Sequence, residues 1–72
     1  MSIHYETEQG FDVIDIAKAY DLNFNRGNVV KYLCRAGKKD SEIRDLEKAL
    51  DYLKKEIKHL RQIQSNWIEQ NK

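Results

Sequence analysis

Proline is absent from the 72 residues and glycine occurs only three times. The chain is therefore poor in the residues that break helices and shape tight loops, and a helical fold with short connections follows. The single cysteine, Cys34, excludes an internal disulfide. One Cys with two distant His residues also lacks the spacing of a structural zinc site, so neither a metal nor a cofactor is expected. No apolar run approaches the roughly 20 residues of a membrane span. Residues 1–10 carry His4, Glu6 and Glu8 where a secretory leader has a basic start and an apolar core, so the expected location is the cytoplasm, away from any membrane. Thirteen basic residues nearly balance twelve acidic ones, and a net charge of +1 argues against nucleic acid as the partner, because duplex binding draws on many phosphate contacts. Also missing are a glycine-rich Walker loop, paired metal-binding acids and a nucleophile beside a base.

What remains points to helices that need each other. A lone chain of this size buries only about 60% of its unfolded surface, so oligomerisation is the stabilising device left once disulfides and metals are excluded. Residues 1–72 form a single helical domain. A first helix is expected from Phe11 to Tyr20, with Gly10 at its start and Phe11, Val13, Ile14, Ile16, Ala17 and Tyr20 at helical spacing. The pattern breaks at Asp21–Asn25, where Asn25 caps the next helix and Phe24 plugs the core. A second helix covers Arg26 to Ala36 and ends at Gly37, the residue suited to a left-handed C-terminal cap. Asp40 or Ser41 caps the third, expected from Glu42 to Gln70. Its apolar residues Ile43, Leu46, Leu50, Leu53, Ile57, Leu60 and Trp67 keep strict a/d heptad spacing, with Gln64 as the polar interruption. The expected fold is all-α, two short helices packed on one long heptad-patterned helix and assembled as a homo-oligomeric bundle. In that arrangement the short helices cover the first half of the long one, and Leu60, Ile63, Trp67 and Ile68 meet other subunits.

The charge is unevenly placed. From Leu22 to Lys39 there are five basic residues and no acid. Asn28, Lys31, Tyr32 and Arg35 stand at i, i+3, i+4 and i+7, one face of the second helix, with Val29, Val30, Leu33 and Cys34 opposite. Lys38 and Lys39 follow Gly37. Two cations, an amide and a phenol in one stripe suit a phosphate-bearing, ring-containing ligand. A solvated helix face accounts for charge runs equally simply, but such a face ordinarily mixes both signs. Asp45, Lys48 and Tyr52 form a second stripe on the long helix. There Asp45 is placed to pair with Arg35 or Lys31, and Lys48 to add a phosphate contact, although a minor surface pair and a core tyrosine explain the same residues. His4 and Tyr5 have no part in any apolar pattern and are further candidates for ligand contact, beside an ordinary packing role.

The succession His4-Tyr5, Gly27-Asn28, Lys31-Tyr32, Arg35-Ala36-Gly37-Lys38-Lys39, Asp45-Leu46, Lys48-Ala49 and Tyr52-Leu53 resembles a small phage and prophage family of unknown function often labelled nucleotide kinase-like. The resemblance spans about residues 4 to 60. It implies a nucleotide ligand and a host bacterial cytoplasm. Three readings follow. The first is an oligomer that sequesters a phosphate-bearing nucleotide signal of bacterial immunity, of cyclic dinucleotide or ADP-ribose type, through His4, Tyr5, Asn28, Lys31, Tyr32, Arg35, Lys38, Lys39, Asp45 and Lys48. The second is a nucleotide kinase or other nucleotide-processing enzyme without a Walker loop, and the third an interaction module whose basic face meets an acidic host protein or nucleic acid.

Overall fold

The computed structural model describes residues 12–39 and 41–71, and within them the chain is all-helical. Helix α1 runs Val13–Ala19, α2 Phe24–Arg35 and α3 Glu42–Gln70. Gly10, Phe11 and Asp40, to which the sequence assigned helix-start and capping roles, lie outside the described residues, as do His4 and Tyr5. No described helix is long and apolar enough to cross a membrane.

Each helix begins on a short polar side chain that satisfies amides the first turn leaves open. Asp12 caps α1 in a reciprocal box, its carboxylate accepting from the Asp15 amide at 3.1 Å while the Asp15 carboxylate accepts from the Asp12 amide at 2.9 Å. Helix α1 stops at Asp21, whose φ of 52° supplies the left-handed position. The Leu22 amide donates back to the Ala17 carbonyl and the Asp21 amide to Lys18, the pairing that closes a Schellman end. Ser41 caps α3, accepting from the Arg44 amide.

The cap of α2 differs from expectation. Asn23, not Asn25, holds the position, accepting from the Arg26 amide at 2.9 Å, so α2 starts two residues earlier than the sequence reading placed it. Phe24 becomes its first residue and stands 74% exposed instead of plugging the core. The other end agrees with expectation. Gly37 follows the last turn at φ 81°, a backbone conformation that favours glycine, and a Cβ there would also displace the Glu42 carboxylate, 2.9 Å away.

The Gly37 turn folds α2 back antiparallel along the first half of α3, and α1 packs on α2. At about 100° per residue, Asp45, Ala49, Tyr52 and Glu56 share the α3 face that meets α2. The heptad residues Leu46, Leu50, Leu53 and Ile57 lie about a quarter turn away on the same geometry. This corrects the expectation that the short helices cover the proximal seam. Leu46, Leu50, Leu53, Ile57 and Leu60 are all between 40% and 48% exposed, and Ile43 and Trp67 more so. Among the described residues only Val13 and Ala49 are buried hydrophobics.

Candidate functional site

The α2–α3 face is built from polar and aromatic groups. At one end the buried carboxylate of Glu56, 3% exposed, gathers the start of α2. Asn23 Nδ2 donates to its Oε2 at 2.7 Å, Arg26 Nε to the same oxygen at 2.7 Å, and Asn25 Nδ2 to Oε1 at 3.4 Å. The choice of asparagine at the cap is thereby explained. Its Oδ1 accepts from the α2 backbone while its Nδ2 donates to α3, a double task that an aspartate would fail by setting two carboxylates together. The Asn23 hydrogen bond, with help from Asn25 and Arg26, holds the Glu56 carboxyl below its ordinary value of 4.5 against the opposing effect of burial.

A group whose folded value is depressed contributes stability that is present above the unfolded value and lost as pH falls through the folded one. The stability difference between the natural chain and Glu56→Gln should therefore be constant near neutrality and shrink as pH falls below about 4.5. Urea midpoints from about pH 6 to about pH 3 measure it. An unchanged difference at the acid end would show that the carboxylate charge plays no part in this clasp.

At the other end of α2, Arg35 Nε lies 3.5 Å from Asp45 Oδ1, with the two side chains 15% and 2% exposed. The pairing matches the sequence expectation, but it is an inner contact, not a surface pair. Beyond it, at the turn, Lys38 and Lys39 are exposed, and no contact among the described residues joins them to the aromatic groups.

Between the two ends the Tyr32 and Tyr52 rings stack, their centroids 5.9 Å apart and their planes within 13°. Phe24 meets Tyr52 edge-on at 6.0 Å. Three ammonium groups lie over these rings: Lys31 5.5 Å and Lys48 5.3 Å from Tyr32, and Lys55 5.0 Å from Tyr52. Cations held against ring faces are attracted by the ring quadrupole. Asp51, one turn from both Lys48 and Lys55 on α3, forms no ion pair with either among the described residues, so the charge of these two ammonium groups is not cancelled by direct contact.

The structure thus brings together Lys31, Tyr32, Arg35, Asp45 and Lys48 of the expected set, and leaves Lys38 and Lys39 at the turn. Asn28 is on the expected helix face, but its Nδ2 donates to the Phe24 carbonyl at 2.8 Å, turned back on its own helix. Tyr52, read from sequence as core, and Lys55 and Phe24, not read as site residues at all, complete the cluster. Their spacing carries the signal in hindsight: Lys48, Tyr52 and Lys55 stand at i, i+4 and i+7. A shallow groove lined by Lys54, Ile57, Lys58 and Arg61 lies on α3 alone and is an uncovered helix surface, not an enclosed site. No cluster of potential metal ligands occurs among the described residues.

Residues 1–54 match the family described as Protein of unknown function (DUF3310). The chain belongs to this family. The matched span takes in α1, α2 and the proximal part of α3, with the Tyr32–Tyr52 stack and the Arg35–Asp45 pair. It ends before Lys55, Glu56 and the distal apolar residues of α3. Comparison with curated proteins and with solved structures finds no match.

Proposed function

We propose that this member of the DUF3310 family is an oligomeric nucleotide-binding protein that sequesters a phosphate-bearing nucleotide on the α2–α3 face. The observation that carries the reading is the pair of stacked tyrosines with Lys48 and Lys55 over them and no carboxylate paired to either lysine. Ammonium groups there neutralise phosphate, and Phe24, with most of its ring open to solvent, offers a stacking surface for a base. Holding is favoured over transforming because Asp45, the acid that shares a helical stripe with Lys48 and Tyr52 in the sequence, is withdrawn from solvent and engaged with Arg35. A proton acceptor for phosphoryl transfer has to reach the attacking group.

The test is retention. The purified protein is incubated with a panel of nucleoside mono-, di- and triphosphates, cyclic dinucleotides and ADP-ribose, filtered, and then denatured to identify what is released. The expected result is at least one nucleotide retained and recovered intact. Lys48→Glu should weaken that retention by about tenfold or more, since it removes a charge-assisted contact and adds a repulsion. Nucleotide returned phosphorylated or cleaved would replace this reading with an enzyme, and no retention of any member of the panel would reject it.

A further inference from the structure

Among the described residues nothing covers the heptad seam of α3, and the charges beside it are sorted. At the e positions that flank such a seam stand Glu47, then Lys54, then Arg61. The g positions carry Glu42, Ala49 and Glu56, and Glu56 is already consumed by Asn23, Asn25 and Arg26. Charges at e and g select the orientation of a partner helix. In a parallel pair, Glu42 faces Glu47 of the other chain, and the one attractive combination, Glu56 with Arg61, asks for a carboxylate that is buried and occupied. In an antiparallel pair, the e flank sets Glu47 against Arg61 twice, once on each side of the dyad, with Lys54 against Lys54 at the centre. On the g flank Glu56 falls opposite Glu56, each carboxylate already held by Asn23, Asn25 and Arg26 of its own chain. The apolar layers agree with that register. Leu50 then opposes Leu60, Leu53 opposes Ile57 and Ile43 opposes Trp67, while Leu46 opposes Gln64, the one polar residue of the seam.

We infer that the α3 seam is filled by α3 of a second copy running antiparallel, centred near Lys54, with Glu47 of each chain against Arg61 of the other. This deepens the oligomeric part of the function proposed above and is independent of its ligand. A strict seven-residue repeat drifts by about 20° per turn-pair on a straight helix, so the distal residues Leu60, Ile63 and Trp67 rotate toward the face that α2 occupies lower down. Antiparallel pairing sets the distal half of each α3 beside the α2 of its partner. The distal half therefore gains a neighbour that the described residues of its own chain do not supply.

Cross-linking on a Cys34→Ser background tests the orientation, after sedimentation of the unaltered full chain establishes its mass. Lys54→Cys should be linked to itself by a short bis-maleimide. A mixture of Glu47→Cys and Arg61→Cys chains should give the mixed product, with neither chain linking to its own kind. In a parallel pair those two positions are about 21 Å apart along the axis and cannot be bridged. A chain that sediments as a monomer at high micromolar concentration overturns both the pairing and the oligomeric reading. An oligomer in which Lys54→Cys fails to link, or in which Leu46→Cys and Leu60→Cys each link to themselves, overturns the antiparallel orientation alone.

Discussion

Replacing Arg35 by Met should cost about 3 kcal/mol or more of folding stability, because it strands a buried carboxylate. Asp45 sits on the inner face of α3 at 1% exposure, and among the described residues no hydrogen bond reaches its Oδ2. The guanidinium 3.5 Å from Oδ1 is its counter-charge. Removing one partner of a buried pair leaves the other ion without water or compensation, and the loss is then larger than the pair's own net worth. The double substitution Arg35→Met/Asp45→Leu should therefore recover most of the deficit, since well-packed apolar groups replace a buried pair at little or no net loss. Urea unfolding of the four proteins at one chain concentration closes the cycle. A single Arg35→Met change within about 0.5 kcal/mol of the natural chain would show that the pair is solvated in solution and that its apparent burial has no energetic consequence.

The same substitution separates two roles that the sequence alone could not. Arg35 read as a phosphate ligand because it shares a helical face with Lys31 and Tyr32. A helical wheel assigns residues to faces but not faces to destinations. The sequence set Val29, Val30, Leu33 and Cys34 opposite the cationic stripe, and in the structure Leu33 and Cys34 are exposed while Tyr32 and Arg35 lie against α3. The reason is on α3. Its inner face presents Asp45 and Glu56, and buried carboxylates require cationic or amide donors, which the other face of α2 cannot supply. Sequence reading gave Asp45 as a partner for Arg35 but had no signal that Glu56, thirty positions from Arg26, is the second anchor.

Helix α3 was legible because its signal is long and periodic, and its bounds agree with expectation. The start of α2 was not, since Asn23 and Asn25 are equally good caps in sequence. What decides between them is that Asn23 can also reach Glu56, a tertiary contact. The aromatic cluster was half legible. Tyr32 and Lys48 were read as site residues, but a tyrosine beside a heptad seam is as readily core, and only the antiparallel fold of α2 on α3 shows Tyr52 stacked against Tyr32.

The second large effect concerns the seam itself. Leu53→Lys/Ile57→Lys should dissociate the assembly and lower helix content together. Each of these side chains is about half covered in the single chain. Completing the burial of one contributes about 1 kcal/mol, so two positions in each of two chains amount to on the order of 4 kcal/mol, or about a thousandfold in the dissociation constant. The loss of helix content follows from how little the chain buries alone, with Val13 and Ala49 the only buried hydrophobics among the described residues. Isolated helices gain most of their stability from packing, and the distal part of α3 has no packing neighbour among the described residues of its own chain. The natural chain should accordingly melt at a temperature that rises with protein concentration, and the double variant at one that does not. A variant that stays cooperative, helical and monomeric would show that the α1–α2–α3 hairpin is self-sufficient. The seam would then have to be explained by a partner other than the chain itself.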